Sequence, residues 1–594
     1  MYKRQLKEGG EGRTRNQRIE GVFTLEYKPV KGLSLRAVGG ANILDGQKKE
    51  WRRAYGKYGV DGLISTAFGQ KSPNSVTQNN SHRQYLTGQL IAEYKGVFGK
   101  HDINVLGGWS AEENLYEDLQ GKRTNIVGNE LPALNLGDTD GWSNAADENE
   151  WALLSGFMRA SYAFAAKYLV EVNFRADASS RFSKKNRWGV FPSASVGWRI
   201  TEEKFMQNQH IFDNLKLRAS WGQLGNQNGL GLYDHIASYN INGYYPFKSE
   251  LGQWAVISKL PSESRTWETV EVKNIAVDMA FLRNRLTVTG EYFIKKNKDM
   301  LVSIEIPSII GLDVPTVNYG ELKVKGWEVT VGWQDKIKDF SYGARFNLSD
   351  QKDKLVDYGV EYNGFVAGVN QKVQGYSLGS IFGYRTDGYF TSEEEVKNSA
   401  AFNKAITGVG DIKYIDKDGD GKISAPNDLE YLGTTTPRYT FGLNLTAAWK
   451  GFDLGVLLQG VGKRNFYLSS EVMNPYYATW NNFSYKMHND YWTPENANAA
   501  FPRYYAGANH NYQISDHWLQ NAAYVRLKNL QLGYTISPKL TKSWGIQRLR
   551  VYFSGDNLCE YSKLNDNFDP ELSNINGYVY PIMRNFSFGI NVTL

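Results

Sequence analysis

YTFGLNLTAAWKGFDLGVLLQG, Tyr439 to Gly460, holds two runs of strict alternation joined by two residues. Tyr439, Phe441, Leu443, Leu445 and Trp449 fall on one parity; beyond Lys450 and Gly451, so do Phe452, Leu454, Val456 and Leu458. Period two gives each run one apolar and one polar face, as β-strands require, and a two-residue joint makes the pair a hairpin. The connections on either side are far longer, 352–437 before the hairpin and 463–522 after it.

The same rhythm extends outward in both directions. Phe23 to Tyr27 turn through Pro29-Val30-Lys31 into Leu33 to Leu35. Tyr162 and Phe164 turn through Ala166-Lys167 into Tyr168 to Phe174. Ala276 to Phe281 turn through Leu282-Arg283-Asn284 into Leu286 to Ile294. Between these hairpins lie long stretches at 42–83, 113–150, 178–188, 224–266, 300–321 and 558–579. A soluble sandwich has no reason to alternate short and long joints. A membrane barrel does, because its periplasmic turns are short and its external loops long. The expected fold is therefore all-β, an antiparallel transmembrane β-barrel with about seventeen strands in this chain.

The final strand, NFSFGINVTL (Asn585 to Leu594), places Phe586, Phe588, Ile590, Val592 and Leu594 on one face. Tilted, it rises roughly 25 Å, the height of the apolar band of an outer-membrane barrel. The first strand, near Ile19 to Lys28, and this last one both run toward the short-turn side. An odd number of strands is therefore expected upstream, with residues 1–18 an irregular start and 19–594 the C-terminal portion of a barrel. Val525 and Leu527 are out of phase with Leu530, Leu532 and Tyr534, which predicts a bulge near Lys528.

Composition narrows the function classes. The chain has 594 residues and a net charge of +6, with no basic stripe, so nucleic acid is not implied. One cysteine, Cys559, and seven scattered histidines fit neither a disulfide framework nor a zinc pattern. No apolar run reaches the roughly 20 residues of a membrane helix. The mean hydropathy of −0.49 is compatible with a barrel, since only alternate strand residues face lipid. The first residues, MYKRQLKEGGEGRTRNQR, have no apolar core and are not a signal peptide. There is no H-E-x-x-H or P-loop pattern. Glu268 and Glu271 fall on opposite parities of one strand, which argues against a glycosidase pair. Arg175, Arg181 and Arg199 are expected in charge ladders facing away from lipid, where a cation costs about 2–4 kcal/mol at mid-membrane.

Several motifs in order resemble one group. FRADASSRFSKKNRWGVFPSASVGWRITEEKF (Phe174 to Phe205), LKLRASWGQLGNQ (Leu215 to Gln227), NYGELKVKGWEV (Asn318 to Val329), GDIKYIDKDGDGKI, YVRLKNLQLGY and FDPELS are similar to segments of the SusC/RagA-type TonB-dependent transporters of the Gram-negative outer membrane. The resemblance implies a barrel of about 22 strands, so that about five precede this chain. It also implies a plug and a TonB-contacting region, both absent here, and a SusD-like surface lipoprotein that caps the barrel. The cargo would be oligosaccharides or peptides, and the chain would itself be no enzyme. Three other readings remain: a passive porin, a truncated fragment that never inserts, and a secreted β-rich glycan-degrading enzyme that would be soluble without detergent.

Two sets of residues stand out as candidate sites. In DKDGDGKISAPND, Asp416, Asp418 and Asp420 at spacing two, with Gly421 at position six, match the start of an EF-hand-type calcium loop. Lys422 would add its carbonyl, and Asp428 arrives one residue later than the loop's closing carboxylate, after Pro426 and Asn427. Bound Ca2+ would order the long 352–437 loop. The second set is aromatic. Tyr244, Tyr245, Tyr476, Tyr477, Trp480, Trp492, Tyr504, Tyr505 and Trp518 all lie in long connections and are candidates for contact with cargo or lipoprotein. Packing of the loops against one another is the competing reading of each.

Overall fold

In the computed structural model the described residues are 9–54, 73–128, 130–247, 250–257, 259–303, 309, 311–312, 315–359, 365–469, 472–476, 485–565, 568–572 and 582–594. Seventeen strands join in one antiparallel sheet, each bonded to the next in the chain. The chain clusters into two compact units. One comprises Met1–Ala194, Gln223–Glu268 and Ile306–Val317; the other comprises Ser195–Gly222, Thr269–Glu305 and Asn318–Leu594.

In the first unit run β1 (Gly10–Tyr27), β2 (Leu33–Arg52), β3 (Ser75–Phe98), β4 (His101–Thr124), β5 (Ser143–Phe164) and β6 (Tyr168–Ser179). β7 (Trp188–Arg199) and β8 (Phe212–Asn226) belong partly to each unit. The second unit continues with β9 (Glu268–Phe281), β10 (Leu286–Val302), β11 (Val317–Ile337), β12 (Phe340–Asp357), β13 (Arg438–Trp449) and β14 (Phe452–Lys463). It ends with β15 (Tyr524–Thr535), β16 (Arg548–Ser562) and β17 (Asn585–Thr593). Short and long joints alternate as the sequence predicts. Two of the short-side joints, 200–211 and 536–547, carry short helical turns.

Two expectations are corrected. β1 begins at Gly10, inside the stretch read as irregular. β3 and β4 each span 24 residues, well into the stretches read as loops. The cause is the same in each case. Past the apolar band both faces of a strand meet water, so the ladder continues through polar residues such as Thr77 to Ser81 and loses the alternation that marks it. The bulge predicted near Lys528 is present: the register shifts between Leu527 and Asn529 against β16, and between Leu457 and Leu458 on β14.

Register turns the alternation into two surfaces. In the second unit Leu445 opposes Val456, Val456 opposes Leu530, Leu532 opposes Phe553, and Phe553 opposes Phe588. These side chains form one continuous apolar face, and Leu445, Leu532 and Phe588 are exposed on it, as a lipid-facing surface requires. Near the short-turn end Trp449, Phe452 and Tyr534 stand in register, with the Phe452 and Tyr534 rings 4.6 Å apart, in the position of an aromatic girdle. The first unit repeats this with Leu90, Trp109, Met158, Val172 and Phe174 exposed. On the opposite faces polar groups pair: Arg550 Nε bonds Asp453 at 2.9 Å, and Arg175 bonds Asp177 at 2.8 Å and Ser155 at 2.9 Å.

The abundance of both glycine and aromatic residues has a structural reason here. Trp109 lies directly opposite Gly156, where an added Cβ would be 3.1 Å from its ring, and Tyr552 lies directly opposite Gly589. The glycine leaves a floor on which the facing ring can lie. No described helix is long and apolar enough to cross a membrane, which says nothing about strands.

If the apolar face is the lipid face, adjacent residues of one strand must respond oppositely to a charge. Val172→Arg is expected to destabilise the inserted chain by about 2–4 kcal/mol. Asn173→Arg, on the other face, should change stability by less than about 1 kcal/mol. Urea titration of the protein folded in lipid vesicles measures both.

Candidate functional site

The long connections of the second unit fold against one another into a body with its own core. Tyr384, Ile412, Tyr414, Leu429, Phe466 and Trp518 are among its buried residues. Short strand pairs frame it. Ser380–Tyr384 pairs with Leu429–Thr434, Thr386–Tyr389 with Ile412–Tyr414, and Asn465–Tyr467 with Leu519–Asn521. Segments from the 358–437 and 464–523 connections thus hold one another, as with Tyr384 N–H donating to the Ile514 carbonyl at 2.8 Å.

A buried carboxylate ties these segments together. Asp411 is wholly buried and accepts from Gly408 N–H at 2.8 Å, Asn511 Nδ2 at 2.9 Å and the Tyr505 hydroxyl at 2.9 Å; His510 Nε2 lies 3.0 Å away. Asn511, also wholly buried, accepts from Ile412 N–H at 2.9 Å. Asp516 makes a second tie, accepting from Thr386 N–H at 3.0 Å and Oγ1 at 2.7 Å and from Arg385 at 3.2 Å. A third anchors the FDPELS segment. Buried Arg526 pairs with Glu560, with Asp569 at 2.7 Å and with Glu571 at 3.0 Å, while Arg464 donates to the carbonyls of Pro570 and Leu572. A charge taken out of water needs partners of opposite charge or hydrogen-bonding groups of this kind to be tolerated. The pairing within these ties carries no sequence signal, because their members lie about a hundred residues apart in some cases.

The aromatic candidates divide accordingly. Trp518 is 1% exposed and is part of the core, its Nε1 donating to the Asn511 carbonyl at 3.1 Å. Tyr504 donates to the His488 carbonyl at 2.9 Å, Tyr505 to Asp411, and half-buried Trp492 packs over Gly410. Tyr476 remains 42% exposed, resting on Tyr504 at 5.9 Å. Tyr244 and Tyr245 are exposed on a separate hairpin of the first unit, Tyr239–Phe247 with Glu250–Ile257. Tyr477 and Trp480 lie outside the described residues.

The acidic turn brings Asp416, Asp418 and Asp420 together, with one carboxylate oxygen of each within 4.8 Å of the others. Gly419 and Gly421 take the left-handed φ values of +74° and +84° that let the turn close. Asp416 accepts from Gly419 N–H at 2.7 Å and Gly421 N–H at 2.8 Å. Desolvation raises its pKa, but these amides outweigh it and hold the carboxyl below its ordinary value. Lys422 donates its N–H to Asp420 at 2.8 Å. Asp428 does not join the three. It is buried beneath the turn and accepts from Lys417 and Ser424 N–H, each at 2.7 Å. The donor set of three carboxylates suits a hard cation; the fourth carboxylate clamps the base of the loop.

The two glutamates weighed as a catalytic pair have separate structural partners. Glu268 accepts from Asn226 at 2.7 Å, and Glu271 is held by Lys298 at 2.5 Å and Trp221 at 3.2 Å.

Comparison with known proteins places the chain. The family model described as TonB dependent receptor-like, beta-barrel, matches residues 3–558. A TonB-dependent receptor from Formosa agariphila is 28% identical over 542 residues, covering 87% of this chain and 52% of that protein. The TonB-dependent receptor SusC from Bacteroides thetaiotaomicron is 28% identical over 463 residues, covering 74% of this chain and 43% of that protein. In fold, the chain is similar to the structure of the RagAB peptide transporter, with a TM-score of 0.83, 23% identity, and coverage of 98% of this chain and 62% of that one. The chain spans about half the length of the curated relatives it matches.

One prediction follows from the core of the loop body. His488 is buried; its Nδ1 accepts from Tyr485 N–H at 3.0 Å while Nε2 lies 2.9 Å from the Val472 carbonyl, so the site requires the neutral ring. Burial lowers its pKa from the ordinary 6.5. The unfolded chain therefore takes up a proton at higher pH than the folded one. Its contribution to stability is complete above about pH 6.5 and is lost as pH falls below that value. Hydrogen-exchange protection of residues 485–505 is expected to fall between pH 7 and 5 in the native protein, and less so in His488→Asn.

Proposed function

The chain belongs to the TonB-dependent receptor-like β-barrel family, and from that premise we propose that it is the C-terminal barrel portion of a SusC-type outer-membrane importer. The observation that carries this reading is the pairing of a continuous apolar strand face with a structured body built from the long connections. The first suits a lipid-spanning wall, and the second gives a surface on which a SusD-like lipoprotein would sit. Cargo, an oligosaccharide or a peptide, would pass along the polar face, driven through TonB by parts that precede these strands. The chain does no covalent chemistry in this reading.

The test is membrane fractionation of native cells followed by uptake. The chain is expected in the outer membrane, with a surface lipoprotein copurifying in mild detergent, and uptake should cease when TonB is removed. A soluble chain would overturn the proposal, and uptake that survives loss of TonB would favour a passive porin.

We also propose Ca2+ as a structural ion at Asp416, Asp418 and Asp420, with a role confined to ordering the loop. Millimolar Ca2+ is expected to raise the melting temperature of the native protein by a few degrees, as ligand linkage requires, and EDTA to reverse it. In Asp418→Asn the rise should vanish; a rise that persists in the variant would place the ion elsewhere.

A further inference from the structure

The apolar face of the first unit is not uniform. Where β1 to β4 approach the short turns it carries a groove of about 480 Å3. Register makes it. Leu25 opposes Ala37, Ala37 opposes Leu90 and Leu90 opposes Trp109; in the next outward row Leu35 opposes Ala92 and Ala92 opposes Gly107. Ala37, Ala92 and Gly107 form the floor, and the exposed side chains of Leu25, Leu35, Leu90 and Trp109 stand around it. Tyr27, the last residue of β1, lies at its foot. Methylene chains pack on such a surface by burial and dispersion, with no hydrogen bonds to satisfy.

The charge at the foot of the groove is one-sided. The three short joints of this unit, 28–32, 99–100 and 165–167, hold Lys28, Lys31, Lys100 and Lys167 and no carboxylate. Lys28 is taken up by Glu26 at 3.0 Å. Lys31 and Lys100 are exposed and stand in no ion pair among the described residues. The Gly32 carbonyl accepts from Lys95 N–H at 2.8 Å, which seats the first joint against the strand that runs into the Gly99-Lys100 turn. The carboxylates at this end, Glu26, Glu93, Asp102 and Glu171, all fall on the inner parity. The outward parity of β1 to β6, from the groove down to the turns, carries none among the described residues. It carries aromatic rings instead: Phe164 and Tyr168 stack at 6.5 Å, and the Tyr162 hydroxyl lies 2.7 Å from His101 Nδ1. Such a belt marks the level of lipid headgroups. In the second unit the cations of the short joints have company. Arg285 meets Asp335 at 3.2 Å, Asp339 follows Lys338, and Lys450 lies over the Trp449 ring.

We propose that this groove is the seat of a phospholipid with a net negative headgroup, from the leaflet on the short-turn side. Its acyl chain lies on Ala37, Ala92 and Gly107, and Lys31 and Lys100 hold its phosphate. Every lipid-facing strand meets acyl chains; this site adds a shaped seat and a choice of headgroup. A zwitterionic headgroup needs an anion for its ammonium, and the foot of the groove supplies only cations. The inference goes beyond the import reading and rests only on that reading's assignment of this face to lipid.

The test uses the full chain folded in mild-detergent micelles and offered equimolar dioleoyl phosphatidylglycerol and dioleoyl phosphatidylcholine, with native mass spectrometry to count the lipid retained. Phosphatidylglycerol is expected to be retained about fivefold or more over phosphatidylcholine, the scale of one lysine at an anionic surface. The double variant Lys31→Gln, Lys100→Gln should bring the ratio within about twofold, and Lys338→Gln should leave it unchanged. A Cβ added at Gly107 would meet its nearest neighbour at 3.7 Å, an ordinary contact, so Gly107→Leu fills the floor of the groove from a tolerated backbone position. That variant should retain several-fold less of the acidic lipid. Millimolar inorganic phosphate should not displace the lipid from the native chain. Equal retention of the two lipids, a preference that survives the double variant, retention unchanged in Gly107→Leu, or displacement by free phosphate would each overturn the proposal. Because Lys31 and Lys100 lie on exposed turns, their variant tests the site even if Gly107→Leu perturbs folding. The other readings fail separately: a chain that does not enter vesicles refutes the lipid face, and one that enters and retains the acidic lipid without uptake refutes import alone.

Discussion

Every backbone N–H and C=O that enters hydrocarbon must be paired, and in a strand that pairing has to come from a neighbour. The rest of this structure follows from that constraint. Antiparallel ladders fix the side-chain period at two, so one face of the sheet is given over to lipid and the other to water. The continuous face that runs from Leu445 through Val456, Leu530 and Leu532 to Phe553 and Phe588 is the result. On the polar face charged groups stand in pairs, as Arg550 with Asp453 and Arg175 with Asp177. Strand direction fixes the rest, by sending alternate connections to opposite ends.

Beyond the membrane the constraint is lifted and ordinary globular rules return. The long connections of the second unit gather a buried core around Trp518, Phe466 and Tyr384 and bring three charged hubs, Asp411, Asp516 and Arg526, into contact with several partners each. Truncating a member of such a buried network costs more than the median surface ion pair contributes, because it strands the remaining groups without water. These hubs therefore hold the loops in one arrangement. The exposed pair of Arg18 with Glu20 at 3.2 Å, by contrast, is solvated at both ends and contributes little to stability.

How far the sequence could be read follows this division. The hairpin at Tyr439 to Gly460 and the bulge near Lys528 were legible because apolar parity is imposed locally, residue by residue. Strand ends were not, since β3 and β4 continue in water where parity is no longer enforced. Among the candidate site residues, spacing alone brought Asp416, Asp418 and Asp420 together, a local matter of one turn. Asp428 was misjudged by the same spacing, because its burial under the turn depends on backbone donors at Lys417 and Ser424 that no motif records. Trp518 illustrates the harder case. A tryptophan in a long polar connection reads as exposed until a core is known to exist there.

That difference bears on where specificity can reside. Residues welded into the loop core, such as Trp518 and Tyr505, are poor candidates for adapting to a cargo, since changing them disturbs Asn511 and Asp411 as well. The polar face of the strands is under a weaker constraint. Its backbone is already paired, so its side chains need only remain hydrated or paired with one another. Asn16 and Asn114 project from a ladder whose hydrogen bonds are made by the backbone. Such residues can thus be exchanged at little structural cost. The sheet supplies a rigid frame, and side chains on its polar face can change without refolding the protein.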